Sequence, residues 1–152
     1  MQDAFFEKAK TWDQRPQVIE MSRLFAEELQ KNITLQKDFD LLEFGCGTGQ
    51  VGLRFQNLVN SLLMVDNSPA MLGVLKEKIS NQKIENMKIL EGDITSFDIA
   101  ESSIDMIFSL MAFHHVENIP EVLAKFSSVL KPGGHVIIGD LAIEDGSFHQ
   151  GE

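Results

Sequence analysis

Apolar positions along this chain follow two rhythms. Short runs stand at Leu41 to Phe44, Ser61 to Val65, Met87 to Leu90, Ser103 to Ser109 and Val136 to Ile138, most of them closed by glycine or a carboxylate. Runs of that length bounded in that way read as strands. Between them apolar residues recur at spacings of three and four: Val18, Met21, Phe25 and Leu29, then Leu72, Leu75 and Ile79, then Val122, Leu123, Phe126, Val129 and Leu130. Those spacings put each group on one helix face. Pro16, Pro69 and Pro120 fall where helices begin, Ser68 precedes Pro69 as an N-cap, and Lys131-Pro132-Gly133-Gly134 ends the last helix sharply. The expected organisation is a helical cap segment over residues 1–36 and one α/β sheet domain over 37–152.

The stretch Leu41-Leu42-Glu43-Phe44-Gly45-Cys46-Gly47-Thr48-Gly49 gives this pattern a possible ligand site. An apolar strand runs through a carboxylate into three alternating glycines, whose backbone can take positive φ and lie close to a bound molecule. A helix carrying Val51, Leu53 and Phe55 is expected next, with its unpaired N–H groups towards the ligand. Dinucleotide-binding loops require G-x-G-x-x-G after the strand. Here the third glycine comes one residue early, which argues against a nicotinamide dehydrogenase.

Other strand ends carry candidate chemistry. Asp66 lies 17 residues beyond Gly49, where a carboxylate can accept the hydroxyl hydrogens of a ribose. The alternative is a turn or cap residue, a place that Ser68 already fills. Asp93 follows Gly92 at the next strand end and reads either as a ligand contact or as a turn residue. His114 and His115 follow the fourth strand. No third ligand accompanies them, so no metal site is expected, and one histidine is a candidate acceptor contact or base. Phe5, Phe6 and Trp12 form either an amphipathic helix packed on the core or an aromatic lid.

Composition narrows the partners. A chain of 152 residues with 43% apolar and 24% charged residues suits one globular domain with a sizeable core. Thirteen basic residues against 23 acidic ones give a formal charge of −10, which disfavours a nucleic acid or an anionic membrane as partner. No apolar stretch approaches the ~18 residues of a membrane span. Asp3 and Glu7 stand where a signal peptide needs basic and apolar residues, so the cytoplasm is the expected compartment. The single cysteine, Cys46, is expected to pack within the loop.

The ordered set of glycine loop, Asp66, Gly92-Asp93, the Asp105 to Ser109 strand and Leu130-Lys131-Pro132-Gly133-Gly134 resembles class I S-adenosylmethionine-dependent methyltransferases over about 100 residues. His114-His115 and Lys-Pro-Gly-Gly resemble small-molecule enzymes of the quinone-biosynthesis type. The resemblance implies a Rossmann-like doubly wound sheet of order 3-2-1-4-5, with S-adenosylmethionine above strands 1 and 4 and S-adenosylhomocysteine as product. It implies cofactor contacts from Glu43, Gly45, Cys46, Gly47, Thr48, Gly49, Asp66, Asn67 and Met71. Asp93 and Ile94 would hold the adenine, and Ser109, Leu110 and Met111 would line the methyl-transfer centre, with His114 towards a small organic acceptor.

The Asn/Asp-Pro-Pro-aromatic motif of nucleic-acid amino-methylating enzymes is absent, since Ser109-Leu110-Met111-Ala112 stands there. In the resembled family another helix and an antiparallel hairpin follow the fifth strand, whereas this sequence ends at Glu152 with Glu144-Asp145-Gly146-Ser147 reading as loop. The expectation is an incomplete acceptor pocket, reduced turnover, and a fifth strand available for pairing with a second copy. A non-catalytic cofactor-binding module or partner subunit is the competing expectation.

Overall fold

The computed structural model describes residues 2–142. Its strands are β1 (Asp40–Phe44), β2 (Ser61–Asp66), β3 (Met87–Glu91), β4 (Ile104–Leu110) and β5 (Leu130–Gly139). Its helices are α1 (Pro16–Asn32), α2 (Gly52–Phe55), α3 (Pro69–Asn81) and α4 (Ile119–Val129). All strand pairs are parallel, in the order β3-β2-β1-β4-β5. The chain winds outward from β1 to β3, then returns to lay β4 on the other side of β1. Such a reversal opens a crevice above the carboxyl ends of β1 and β4.

Consecutive residues of each inner strand are buried on opposite faces, as a sheet covered on both sides requires. Leu41, Leu62, Met64, Met106 and Phe108 pack with Ala26 and Leu29 of α1, Phe55 of α2, and Leu72 and Leu75 of α3. Leu42, Val65 and Ile107 pack on the other face with Val122, Phe126 and Val129 of α4. Edge-on aromatic pairs tie the layers: Phe55 to Phe108 at 5.4 Å, and Phe44 to Phe126 at 5.5 Å.

Several boundaries differ from the sequence reading. The cap segment is one long helix preceded by a 3-10 turn at Ala9–Gln14, with Ile33 to Phe39 non-helical. In α1 the buried line is Ser22, Ala26 and Leu29, while Val18, Met21 and Phe25 are half-buried beside it. Small residues let the helix axis approach the sheet, so the larger side chains lie along its flank. The helix after the glycine loop is only four residues long, because β2 must begin at Ser61.

In α4, Leu123 is 42% exposed, outside the buried line Val122, Phe126 and Val129. Lys131 to Gly134 belong to β5 as an irregularity: Ile104 pairs with Leu130, and Met106 already pairs with His135. The extra residues fit because Gly133 takes φ +81°, and a Cβ at Gly134 would lie 2.9 Å from Lys131 O and 3.0 Å from Asp105 O. Glu144 to Ser147 lie outside the described residues. Among the described residues no helix is long and apolar enough to cross a membrane.

Candidate active site

The glycine loop leaves β1 with Gly45, Gly47 and Gly49 all at positive φ, +70°, +54° and +83°. Gly45 N and Cys46 N both donate to Val65 O, at 2.8 and 3.0 Å, which lashes the loop to the end of β2. A Cβ at Gly45 would fall 2.3 Å from Ala112 Cβ, so the segment after β4 lies directly against the loop. Gly47 is different. A Cβ there would meet nothing within 4 Å, so only its backbone angle demands glycine, and the space beside it is open.

Glu43 supports the loop from beneath. It is buried, and its Oε1 accepts Gly52 N at 3.0 Å, tying β1 to the first turn of α2. A Cβ at Gly52 would stand 2.7 Å from that oxygen, so glycine at 52 makes room for the carboxyl. Burial pushes the Glu43 carboxyl well above its ordinary range, against the Gly52 hydrogen bond and with help from the Asp66 charge. Cys46 is a buried core residue whose thiol is also raised well above its usual range, first by burial and then by Glu43 and Asp66. That environment fits packing and disfavours a reactive thiolate.

Asp66 stands at the carboxyl end of β2. Its Oδ2 accepts Gly47 N at 2.7 Å and its Oδ1 accepts Ser68 N at 2.9 Å, so one carboxylate couples the glycine loop to the turn before α3. Burial raises its carboxyl despite these bonds. Ser68 caps α3 by accepting Met71 N at 3.2 Å, with Pro69 in the first turn, as the sequence predicts. Asn67 is exposed beside this turn and Met71 is buried under it. Asp93 is exposed, and its Oδ1 accepts both Thr95 N and Thr95 Oγ1 at 2.8 Å, capping a 3-10 turn. The side chain of Ile94 is buried in the core.

Beyond β4, Met111 takes φ +58° and its N–H donates to Gly139 O at 2.7 Å, which holds this turn against β5. Ser109 is wholly buried within β4, and its Oγ has no hydrogen-bond partner among the described residues. Leu110 and Met111 are partly exposed. The His114 and His115 rings lie 3.9 Å apart. His114 Nδ1 is 2.8 Å from Asp140 Oδ1, a partner just after β5 that the sequence reading did not single out.

The N-terminal segment adds two further contacts missed in sequence. Asp13 accepts Thr48 Oγ1 at 2.6 Å and Gln50 Nε2 at 2.8 Å, and pairs with Lys78 at 2.5 Å. Burial opposes the Asp13 charge, but Lys78, Thr48 and Gln50 hold its carboxyl below the usual range. Asp3 accepts Ser68 Oγ and Ala70 N at 2.8 and 3.0 Å. Phe5 packs edge-on against Trp12 and against His115. Phe5 thus lies between Trp12 and the histidine turn, while the two carboxylates clamp the glycine loop and the turn before α3.

A glycine loop, a carboxylate at the neighbouring strand end and a reversal of strand order between them define an α/β domain of the Rossmann-like type. The comparisons carry this further. Residues 42–138 match the family model described as a methyltransferase domain. An uncharacterized methyltransferase of Bacillus cytotoxicus is 33% identical over 93% of this chain and 67% of its own length. Another, from Oceanobacillus iheyensis, is 34% identical over 68% of this chain and 47% of its own.

A crystal structure of a SAM-dependent methyltransferase from Aquifex aeolicus superposes with a TM-score of 0.76 at 22% identity, over 93% of this chain and 75% of that one. The chain belongs to the S-adenosylmethionine-dependent methyltransferase family. It spans about half to two thirds of the curated relatives described here. The residues present fit the family's cofactor on two observations: the open space over Gly47, and Asp66 with its carboxylate at the edge of that loop.

Proposed function

We propose that this domain binds S-adenosylmethionine and transfers its methyl group to a small organic acceptor in the cytoplasm. The observation that carries the proposal is the coupling of Gly47 and Asp66. The loop that lies beside open space is held in place by the carboxylate suited to ribose hydroxyls. In this reading the backbone from Gly45 to Gly49 holds the methionine portion, with Cys46 and Thr48 shaping the loop and Glu43 bracing it. Asn67 and Met71 border the ribose carboxylate. Ile94 N–H and Asp93 meet the adenine, for which Asp93 keeps its Oδ2 while Oδ1 caps its own turn.

The cofactor supplies an electrophilic methyl carbon on a sulfonium. The protein's part is to hold the acceptor in line and to exclude water, and orientation of that kind provides much of a displacement's acceleration. Leu110 and Met111 border the acceptor, Ser109 lies beneath them, and His114 stands at the turn that touches Gly45. The formal charge of −10 favours a small acceptor over a nucleic acid.

Two copies pairing along β5 is the proposed mode of self-association, since Val136 and Ile138 are 39% and 42% exposed on an edge strand. The chain's partial span of its relatives keeps a second reading in play, a cofactor-binding subunit that does no chemistry.

Calorimetric titration with S-adenosylmethionine, S-adenosylhomocysteine and NAD tests the reading. Selective binding of the first two is expected, weakened roughly 10- to 100-fold by Asp66→Ala, the loss of a charge-assisted hydrogen bond. Preference for NAD, or affinity indifferent to Asp66, would overturn it. Binding without methyl transfer to any of a broad panel of small acceptors favours the subunit reading.

A further inference from the structure

Residues 3–13 reach every strand end that adjoins the glycine loop. Asp3 accepts Ser68 Oγ at 2.8 Å and Ala70 N at 3.0 Å, where the chain turns from β2 into α3. Two positions on, the Phe5 ring lies 6.1 Å from the His115 ring, in the turn after β4. The strand between β2 and β4 is β1. A segment that holds both turns therefore crosses above the carboxyl end of β1, where the glycine loop leaves the sheet. Asp13 then comes down on the loop itself, accepting Thr48 Oγ1 and Gln50 Nε2. Lys78 of α3 fastens the two together, since its Nζ pairs with Asp13 Oδ2 at 2.5 Å and donates to Thr48 O at 2.9 Å.

This crossing leaves room beneath it, because a Cβ at Gly47 would meet nothing within 4 Å. It also buries little of its own. Between Asp3 and Asp13 only Ala9 is buried, and Phe6 is 53% exposed. The edge-on pair of Phe5 and Trp12 lies within the segment and would travel with it. A segment with few buried apolar contacts opens at low cost, and here that cost is concentrated in the two carboxylates. Arg15 is extended before Pro16, at the start of α1, and is the point about which the segment can swing.

We propose that residues 3–13 are a strap that gates the exchange of cofactor and product at the glycine loop, with Asp3 and Asp13 as its two latches. The inference rests on the methyltransferase reading above and adds to it the motion that admits one ligand and releases the other. With the strap down, a molecule beside Gly47 is shut in and water is kept from it. Lifting the strap takes Asp13 from Thr48, Gln50 and Lys78, and Asp3 from Ser68 and Ala70. Both latches are made with the protein and not with the ligand, so they oppose entry and departure alike.

The test is stopped-flow mixing of the 152-residue chain with S-adenosylhomocysteine, read by the emission of Trp12, its one tryptophan, which stands on the strap. This ligand lacks the sulfonium charge, so a lost carboxylate is not a lost attraction for a cation. Asp13→Asn and Asp3→Asn are each expected to raise the association and dissociation rates together, by roughly 10-fold, the worth of one charge-assisted contact, with Kd little changed.

Rates that stay at the parent's values would overturn the proposal, as would Trp12 emission that ignores the ligand. So would a dissociation rate that rises alone, the mark of a direct contact with the ligand. The two latches grip different elements, so a variant that does not fold leaves the other to decide. Absence of S-adenosylhomocysteine binding in the calorimetric titrations would remove the methyltransferase reading and the gate with it. Binding there with exchange rates indifferent to both substitutions removes the gate alone.

Discussion

At the scale of single residues, the site is dominated by carboxylates in opposed environments. Glu43 is buried with its carboxyl raised, whereas Asp13 and Asp140 are hydrogen-bonded and lowered. Raising Glu43 has a consequence for stability. Between its unfolded value near 4.5 and its higher folded value, the folded chain holds a proton that the unfolded chain has lost. Stability from this group therefore falls as pH rises through that window. Glutamine cannot titrate, and its amide oxygen can still accept Gly52 N. Glu43→Gln is expected to unfold at a higher temperature than the parent by a margin that widens as pH rises above the ordinary carboxyl value and closes as pH falls back to it. Melting curves across pH check this, and a margin constant with pH would contradict it.

At the scale of elements, the N-terminal segment is held to the sheet domain by polar clamps as well as by Phe5 and Trp12. Asp13→Ala removes the acceptor for Thr48, Gln50 and Lys78 together. We expect a loss of about 1.5–3 kcal/mol, as for hydrogen bonds to a charged group, and faster amide exchange before α1 than in β1. Because the folded Asp13 value is below 3.8, the clamp's contribution is complete above that pH and is lost as pH falls through the folded value. Unfolding curves read the first effect, and exchange rates, near neutral and in acid, read the others.

This clamp also marks how far the sequence was legible. The strands could be read because buried apolar runs differ from everything around them, and the cap of α3 could be read because Ser68 and Pro69 are adjacent. Asp13 and Thr48 are 35 positions apart, Asp3 and Ser68 are 65, and His114 and Asp140 are 26. Nothing in the local pattern distinguishes those aspartates from solvated ones; only the fold brings each to its partner. Asp93 shows the converse, since the turn role open to it locally is one that its Oδ1 performs.

At the scale of the whole molecule, β5 is the outermost strand on its side of the sheet among the described residues, with one covered face and one open face. Ile137 packs inward with the α1 layer, whereas Val136 and Ile138 are exposed, as are Leu123 and Ile119 on α4. If copies pair along this edge, sedimentation at rising concentration will show dimers. The double substitution of Val136→Lys and Ile138→Lys is then expected to leave a monomer with unchanged S-adenosylhomocysteine binding. Persistence of the dimer would move the contact elsewhere.

The reversal of strand order also sets a timetable. Leu42 pairs with Leu63 on one side and with Ile107 on the other. As the chain is made at roughly 5–20 residues per second, one wall of the glycine loop can close seconds before the other has been synthesised. During that interval β1 offers an unpaired edge, and Gly45 lacks the Ala112 turn against which it is later packed. The same connectivity that sets the glycine loop against the Ala112 turn in the finished sheet leaves the newborn chain with its central strand half-paired, the stage at which a chaperone would have most to hold.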